Sequence, residues 1–255
     1  VLGGGVAVSE GVVDALKAYG PVERLAGSNR QGTAAEIASL WSHADTVFVA
    51  SGGSYPDALA GGAAAAHEDA PVLLAGRTSL SSQTTSRLAQ LDPSTVVVLG
   101  GSAAVSGSAI GDITAAVPDA KVVRYHGQDR YATAQAVAAN VWPEGSSEAF
   151  YATGAGFADA LAGVPAAAHH AAPLLLVRAE CAPATTRRAT NTLGVVGEYL
   201  LGGTAAIANG ATTTACDAQP APDTVLAVLE DIPVKGRAPR TGYDRGKFGP
   251  AWTDD

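Results

Sequence analysis

Four short apolar runs, residues 47–51, 71–75, 95–99 and 121–125, recur at near-even spacing through the middle of the chain. Each is rich in valine or leucine and is bounded by Gly, Pro, Ser or Asp. Continuous apolar character, rather than alternation, is the mark of strands buried on both faces. Between and after them, residues 57–68, 81–90, 106–116 and 131–140 carry apolar positions at helical spacing. Several of these segments open on Ser or Asp, which cap the free amides of a first helical turn. Strand and helix in alternation predict parallel strands joined by crossover helices. The expected fold class is α/β.

The pattern is duplicated. VFVASGGSYPDALAGGAAAAHEDAPVLLA, from Val47, returns as FYATGAGFADALAGVPAAAHHAAPLLLV from Phe150, so that Asp57 and Asp159 correspond, 102 residues apart. Leu-Gly-Gly occurs at Leu2, Leu99 and Leu201, followed each time by small residues. RLAGSNRQGTA from Arg24 returns as RYHGQDRYATA from Arg124, matching Arg30 with Arg130 and Thr33 with Thr133. A period of about a hundred residues is too long for a solenoid turn and suits small parallel-sheet units in tandem. The expected organisation is the end of a first copy (residues 1–43), a whole copy (44–142), a third, terminal copy (143–218), and a linker with a further segment (219–255). The third copy departs after Gly202-Gly203. Its segment IANGATTTAC has no strand pattern and no arginine phrase, as expected of a capping variant.

Composition narrows the function. With 47% hydrophobic and 16% charged residues the chain can fill a sizeable core. A net charge of −8 argues against a general binder of nucleic acid or of an anionic membrane. No run approaches the ~18 apolar residues of a membrane span. Arginine outnumbers lysine, 12 to 4, which reflects a GC-rich genome more than a function. The residues from 235 to 247 are basic, polar and glycine-punctuated, and little independent structure is expected of them. Cys181 and Cys216 are the only cysteines. In a secreted chain they would form a disulfide, in a cytosolic one two buried thiols.

Candidate chemistry is sparse. GAGFAD, ending at Asp159, follows a strand and opens a helix as a dinucleotide fingerprint does, and would make the chain a Rossmann-like nucleotide-binding enzyme. The third glycine is Asp159, however, whose carboxylate would repel a pyrophosphate. Asp57 and Asp159 are better explained as first-turn carboxylates on helix amides. No Lys-Ser or Lys-Thr follows the Leu-Gly-Gly turns, so there is no phosphate loop. The five histidines have no zinc spacing, His169-His170 reads as a solvated face, and no serine sits in a nucleophile elbow. No metal, cofactor or catalytic constellation is expected. Arg24, Arg30, Arg124 and Arg130 remain. In each pair a strand-end arginine is followed six positions later by another, across a glycine turn. Guanidinium forks suit bidentate contacts to phosphates, and also suit ion pairs between copies.

In order, R-x-x-G-x-D/N-R-x-x-T-A, an apolar strand, A-S/T-G-x-x-x-x-D-A-L-A, an alanine-rich helix, A-P-L/V-L-L and L-G-G-x-A resemble the type 2 cell-wall-binding repeats of Gram-positive surface proteins. The resemblance covers roughly residues 1–216. It implies a pseudo-threefold assembly of repeats and a non-catalytic module that holds a secreted protein on the wall. The partner it implies is an anionic wall polymer or glycan. With secretion implied, a Cys181–Cys216 disulfide is the expectation. From about residue 224, LEDIPVKGRAPRTGYDRGKFGPAWTDD is similar to the opening of secreted actinobacterial HNH-class nucleases. Their histidines lie further along, and this run contains none.

Overall fold

Strand β1 (Thr46–Ser51) is apolar on both faces and is buried almost from end to end, the position of a central strand. A computed structural model describes residues 1–216; the basic tail and the nuclease-like run fall outside the described residues. Beside β1 lie β2 (Val72–Ala75) and β3 (Thr95–Leu99), and β4 (Lys121–Tyr125) lies beyond β3. All pairs are parallel, in the order β2-β1-β3-β4. A second parallel sheet repeats the theme with β5 (Glu148–Thr153), β6 (Leu174–Val177) and β7 (Gly197–Leu201), in the order β6-β5-β7. The α/β class and the parallel pairing expected from the sequence are what the structure has.

The helices are α1 (Glu10–Leu16), α2 (Arg30–Ile37), α3 (Pro56–His67), α4 (Ser82–Leu91), α5 (Gly107–Ala116), α6 (Arg130–Val141), α7 (Ala158–His169) and α8 (Ala184–Leu193). Their starts follow from local chemistry. Asn29 accepts the amide of Gly32 at 2.9 Å, and Asp129, its counterpart one copy later, accepts that of Ala132 at 2.8 Å. Ser81 does the same for Thr84 at 3.2 Å. α4 stops where Asp92 turns left-handed, and α8 where Gly194 does. A buried threonine near each start, Thr84 and Thr186, ties its helix to the carbonyl of Leu74 or Leu176, at 2.8 and 2.6 Å.

The side chains of β1 alternate between two cores. Val47 and Val49 join Leu73, Val96, Val98 and Ile113 in a cluster confined to the first sheet and its outer helices. Phe48 and Ala50 join Leu99, then the alanines of α3 and α6, then Phe150, Leu174 and Leu176 of the second sheet. That second core is continuous across both units, with α3 and α6 between the sheets. α3 lies very close to its strand. A Cβ at Gly61 would stand 2.1 Å from Leu99 Cδ1, and one at Gly163 stands in the same relation to Leu201.

The terminal copy ends differently. Among the described residues no strand follows β7, whereas β4 follows β3. In its place Cys181 and Cys216 are joined at 2.02 Å and Ala182 bridges Ala215, while the amide of Ala208 donates to Ala179 at 2.7 Å just as that of Ser106 donates to Arg77 at 2.8 Å in the preceding copy. The covalent link pins a segment that β4 and α5 hold by packing in the preceding copy.

Candidate functional site

Parallel sheets of this kind bind ligands beyond the carboxyl ends of their strands, where the strand order switches direction. In the first sheet that place lies between β1 and β3, under the turns at residues 52–55 and 100–106. Asp57 occupies it from the first turn of α3. A Cβ on Gly100 would stand 2.2 Å from its Oδ2, so only glycine, here at φ +90°, admits the carboxylate. Thr133 of α6 and the charges of Arg130 and His126 favour the Asp57 carboxylate. Burial outweighs these and raises its pKa above the ordinary aspartate value. Asp57 therefore joins one unit to the first helix of the next, beyond the first-turn role the sequence suggests. The same geometry answers the dinucleotide reading: Asp159 packs against Gly202 as Asp57 does against Gly100, closing the turn with a carboxylate.

The four arginines divide into two kinds. Arg124, at the end of β4, is 7% exposed and donates to the carbonyls of Gly100 and Val105, the latter at 2.7 Å. Arg24 does the same one copy earlier, donating to Gly3 at 2.6 Å and Val8 at 2.8 Å, and adds Glu10 at 3.0 Å. Each clamps the turn after a Leu-Gly-Gly inside its own unit. Arg30 and Arg130 stand at the first positions of α2 and α6. Arg30 donates to Gly52 at 2.6 Å and Arg130 to Gly154, the turns that follow β1 and β5. The four arginines thus make two internal clamps and two cross-turn contacts. Asp129, next to Arg130 in sequence, serves as a helix cap and accepts the Ala132 amide at 2.8 Å.

Other expectations shift in detail. His169 is exposed, but His170 is not simply solvated. Its Nδ1 lies 2.9 Å from Glu148, and its ring packs at 5.4 Å on Phe150 and 5.1 Å on Tyr199. Tyr199 stacks on Phe150 at 4.5 Å and donates to Glu148 at 2.8 Å. Those two contacts hold the Glu148 carboxyl below the usual glutamate value. Tyr131 lies under Arg178, at 5.9 Å. Among the described residues no cluster of His, Cys, Asp and Glu could hold a metal, and no helix is long and apolar enough to cross a membrane. Sequence reasoning missed Thr133 as the partner of Asp57, although its recurrence with Thr33 was the available signal. It also missed an open polar groove between α2 and α4.

Comparison with known proteins gives a consistent result. The sequence pattern described as Cell wall binding domain 2 (CWB2) matches residues 24–110 and 124–212. N-acetylmuramoyl-L-alanine amidase LytC of Bacillus subtilis (strain 168) is 32% identical over 189 residues, covering 74% of this chain and 37% of the amidase. The Amidase enhancer of the same organism is 27% identical over 210 residues, covering 81% of this chain and 28% of that protein. Cwp6 from Clostridium difficile superposes with a TM-score of 0.70 at 30% identity, over 74% of this chain and 30% of its own. Cwp8 from the same organism gives 0.69 at 25% identity, over 80% and 35%. The chain spans about a third of the length of these relatives.

Proposed function

Because the chain belongs to the Cell wall binding domain 2 family, and so is a wall-binding module of a secreted, wall-associated protein, we propose that it holds its parent on an anionic wall polymer without covalent attachment. The observation that carries the polymer assignment is the placement of Arg30 and Arg130. Both stand at equivalent first positions of α2 and α6, beside the turns at the carboxyl ends of β1 and β5. Each commits one guanidinium nitrogen to a backbone carbonyl, and Arg30 is exposed. Remaining N–H groups are fixed in direction and available to phosphate or carboxylate oxygens. Arg24 and Arg124 serve this site indirectly, by holding the neighbouring turns. Since the chain as a whole is acidic, attraction to a polyanion has to be local, and two modest contacts on one polymer reinforce each other.

A pseudo-threefold arrangement of copies is part of the same proposal. α3 and α7 meet each other at equivalent positions, with Tyr55 against Phe157 at 5.2 Å and Gly62 facing Val164. Helices around a shared axis meet in this way.

The test is retention of the purified chain on Gram-positive wall preparations, with and without their anionic polymer. Arg30→Gln with Arg130→Gln should reduce retention much more than Lys121→Gln with Arg188→Gln, which change exposed cations at unrepeated positions. Retention should also weaken as salt rises, because exposed charges are screened beyond about 8 Å at physiological ionic strength. A folded double variant that binds like the parent overturns the assignment.

We further infer, from the run LEDIPVKGRAPRTGYDRGKFGPAWTDD alone, that residues from about 224 open an HNH-class nuclease domain in an actinobacterial parent. Metal-dependent DNA cleavage by the longer protein tests it; a longer protein that lacks both histidines and cleavage would refute it.

A further inference from the structure

The two seams between helices of successive copies are built from equivalent elements but are lined differently. At the first, α2 and α4 leave an open groove of about 420 Å³ between them, within the 300–1,000 Å³ range of small-ligand sites. Its walls carry Ser28, Ser82, Gln83 and Ser86, with Arg87 and Glu36 as the only charges. Its α2 wall is low because Gly32 and Ala35 line it. At the second seam α6 places Ala132 and Gln135 at those positions, and α8 places Ala189 where α4 has Arg87. The groove is therefore a property of the first seam, not of the repeat.

Arg87 is the unexplained cation on the lining of this groove. Its Nε is enclosed without a hydrogen-bond partner, and its guanidinium donates to no described residue. Arg24, Arg30, Arg124 and Arg130 each satisfy backbone carbonyls, whereas Arg87, like Arg187 of α8, keeps an enclosed Nε without one, and of these two only Arg87 lines the groove. An enclosed donor without a partner costs free energy and calls for a reason. The remaining lining excludes an apolar ligand, since no side chain on it larger than alanine is hydrocarbon. Hydroxyls and carboxamides at this density pair with a molecule that is itself dense in hydroxyls.

We propose that this groove is a sugar subsite, taking one pyranose-sized unit of a wall glycan whose anionic substituent faces Arg87. Ser28, Ser82, Ser86 and Gln83 take the ring hydroxyls, and Glu36 accepts one more at the rim. The inference rests on the wall-binding reading and adds to it a second, polar subsite on the same helix that carries Arg30.

The test uses the full chain, isotope-labelled, and N-acetylglucosamine 1-phosphate as the probe, with N-acetylglucosamine and inorganic phosphate as separate arms. The sugar phosphate should shift the backbone amides of residues 27–36 and 82–90 selectively, and more strongly than either part alone. Arg87→Gln should weaken binding about tenfold or more, the value of a charge-assisted hydrogen bond. Ala35→Gln imports the residue of the sister seam, which the fold already accommodates at Gln135, and should abolish the shifts by filling the groove. Shifts with phosphate alone equal to those with the sugar phosphate would show an anion site and no sugar subsite. Absence of selective shifts, or an Ala35→Gln variant that binds like the parent, overturns the proposal. Wall retention separates the two readings. A chain that stays on walls but shows no groove shifts loses only the subsite, whereas groove shifts in a chain that walls do not retain remove the wall-polymer assignment alone.

Discussion

Replacing Arg124 by methionine keeps most of the side chain's volume and removes its charge and every donor. The guanidinium is 7% exposed and bonds the carbonyls of Gly100 and Val105. Burial pulls its pKa down from the ordinary arginine value. Two hydrogen bonds to a charged group contribute about 1.5–3 kcal/mol each, and the desolvation of the guanidinium offsets part of that. A loss of about 3–5 kcal/mol follows, because the two carbonyls stay buried without a donor. For a chain of this length that is a drop of about 6–20 °C in melting temperature. Arg24→Met removes an equivalent clamp from a site that is partly exposed, where water can replace the lost donors. Its cost should be about 1 kcal/mol. Circular dichroism melts of both variants beside the parent make the comparison. An Arg124→Met protein that melts within about 2 °C of the parent would refute the clamp. Should either variant stay folded and leave the wall, the arginine acts on the polymer directly.

Reduction of Cys181–Cys216 frees a loop with a sequence separation of 35; the chain-entropy estimate makes that loss about 3–4 kcal/mol, read from urea unfolding with and without reductant. An unchanged midpoint would mean that packing alone holds the terminal segment. Asp57→Asn keeps an acceptor for Thr133 while removing the buried charge. Because the folded-state pKa of Asp57 is raised, the folded protein binds more protons than the unfolded one above the ordinary aspartate value. The parent should thus lose stability relative to Asp57→Asn as pH rises through that window, and level off above the raised pKa. A difference that grows the other way, or is flat in pH, contradicts the burial of the carboxylate. Leu59 and Leu161 are equivalent in sequence but 5% and 59% exposed. Leu59→Ala should cost about 2–5 kcal/mol and Leu161→Ala less than about 0.5 kcal/mol; equal costs in denaturant titrations would show that both faces are covered.

The strands were legible because they are short, apolar on both faces and punctuated, and their parallel pairing follows from the helices between them. The repeat was legible because three phrases keep one order. Its phase was not: divisions at residues 44 and 143, and matched segments starting at Arg24 and Arg124, are two ways of cutting one period. Contacts favour the second cut for packing purposes, since α2 lies on β2 and α4, as α6 lies on β6 and α8. The arginines were found by recurrence, but recurrence could not separate those that clamp a turn from those that face across it. That division depends on whether the carbonyls opposite are in the same unit's loop, and pattern alone carries no such distance. Arg87 was invisible for the opposite reason. It sits at an unrepeated position, and its interest lies in an enclosed Nε without a partner among the described residues, which only the three-dimensional structure reveals.

The limit of repeat reasoning shows most clearly at the joints. Asp57 and Asp159 occupy the same place after the same turn, and Thr33 and Thr133 accept the same backbone amide, that of Gly27 or Gly127, each at 3.1 Å. Yet Thr133 belongs to the next unit and acts on the Asp57 carboxyl, lowering its pKa against the effect of burial. A joint needs one residue from each of two neighbouring units, so a single copy contains two halves of different joints and no whole one. The same holds for the apolar stripe of α3, which α6 and β6 cover, and for its twin on α7. Identical sequence therefore carries different burial, and the difference is set by the neighbour rather than the residue. In a module of this kind, a substitution at a repeated position must be assigned to a joint before its cost can be reasoned about. Leu59 stabilises one as hydrophobic packing, and its sequence twin Leu161 is exposed.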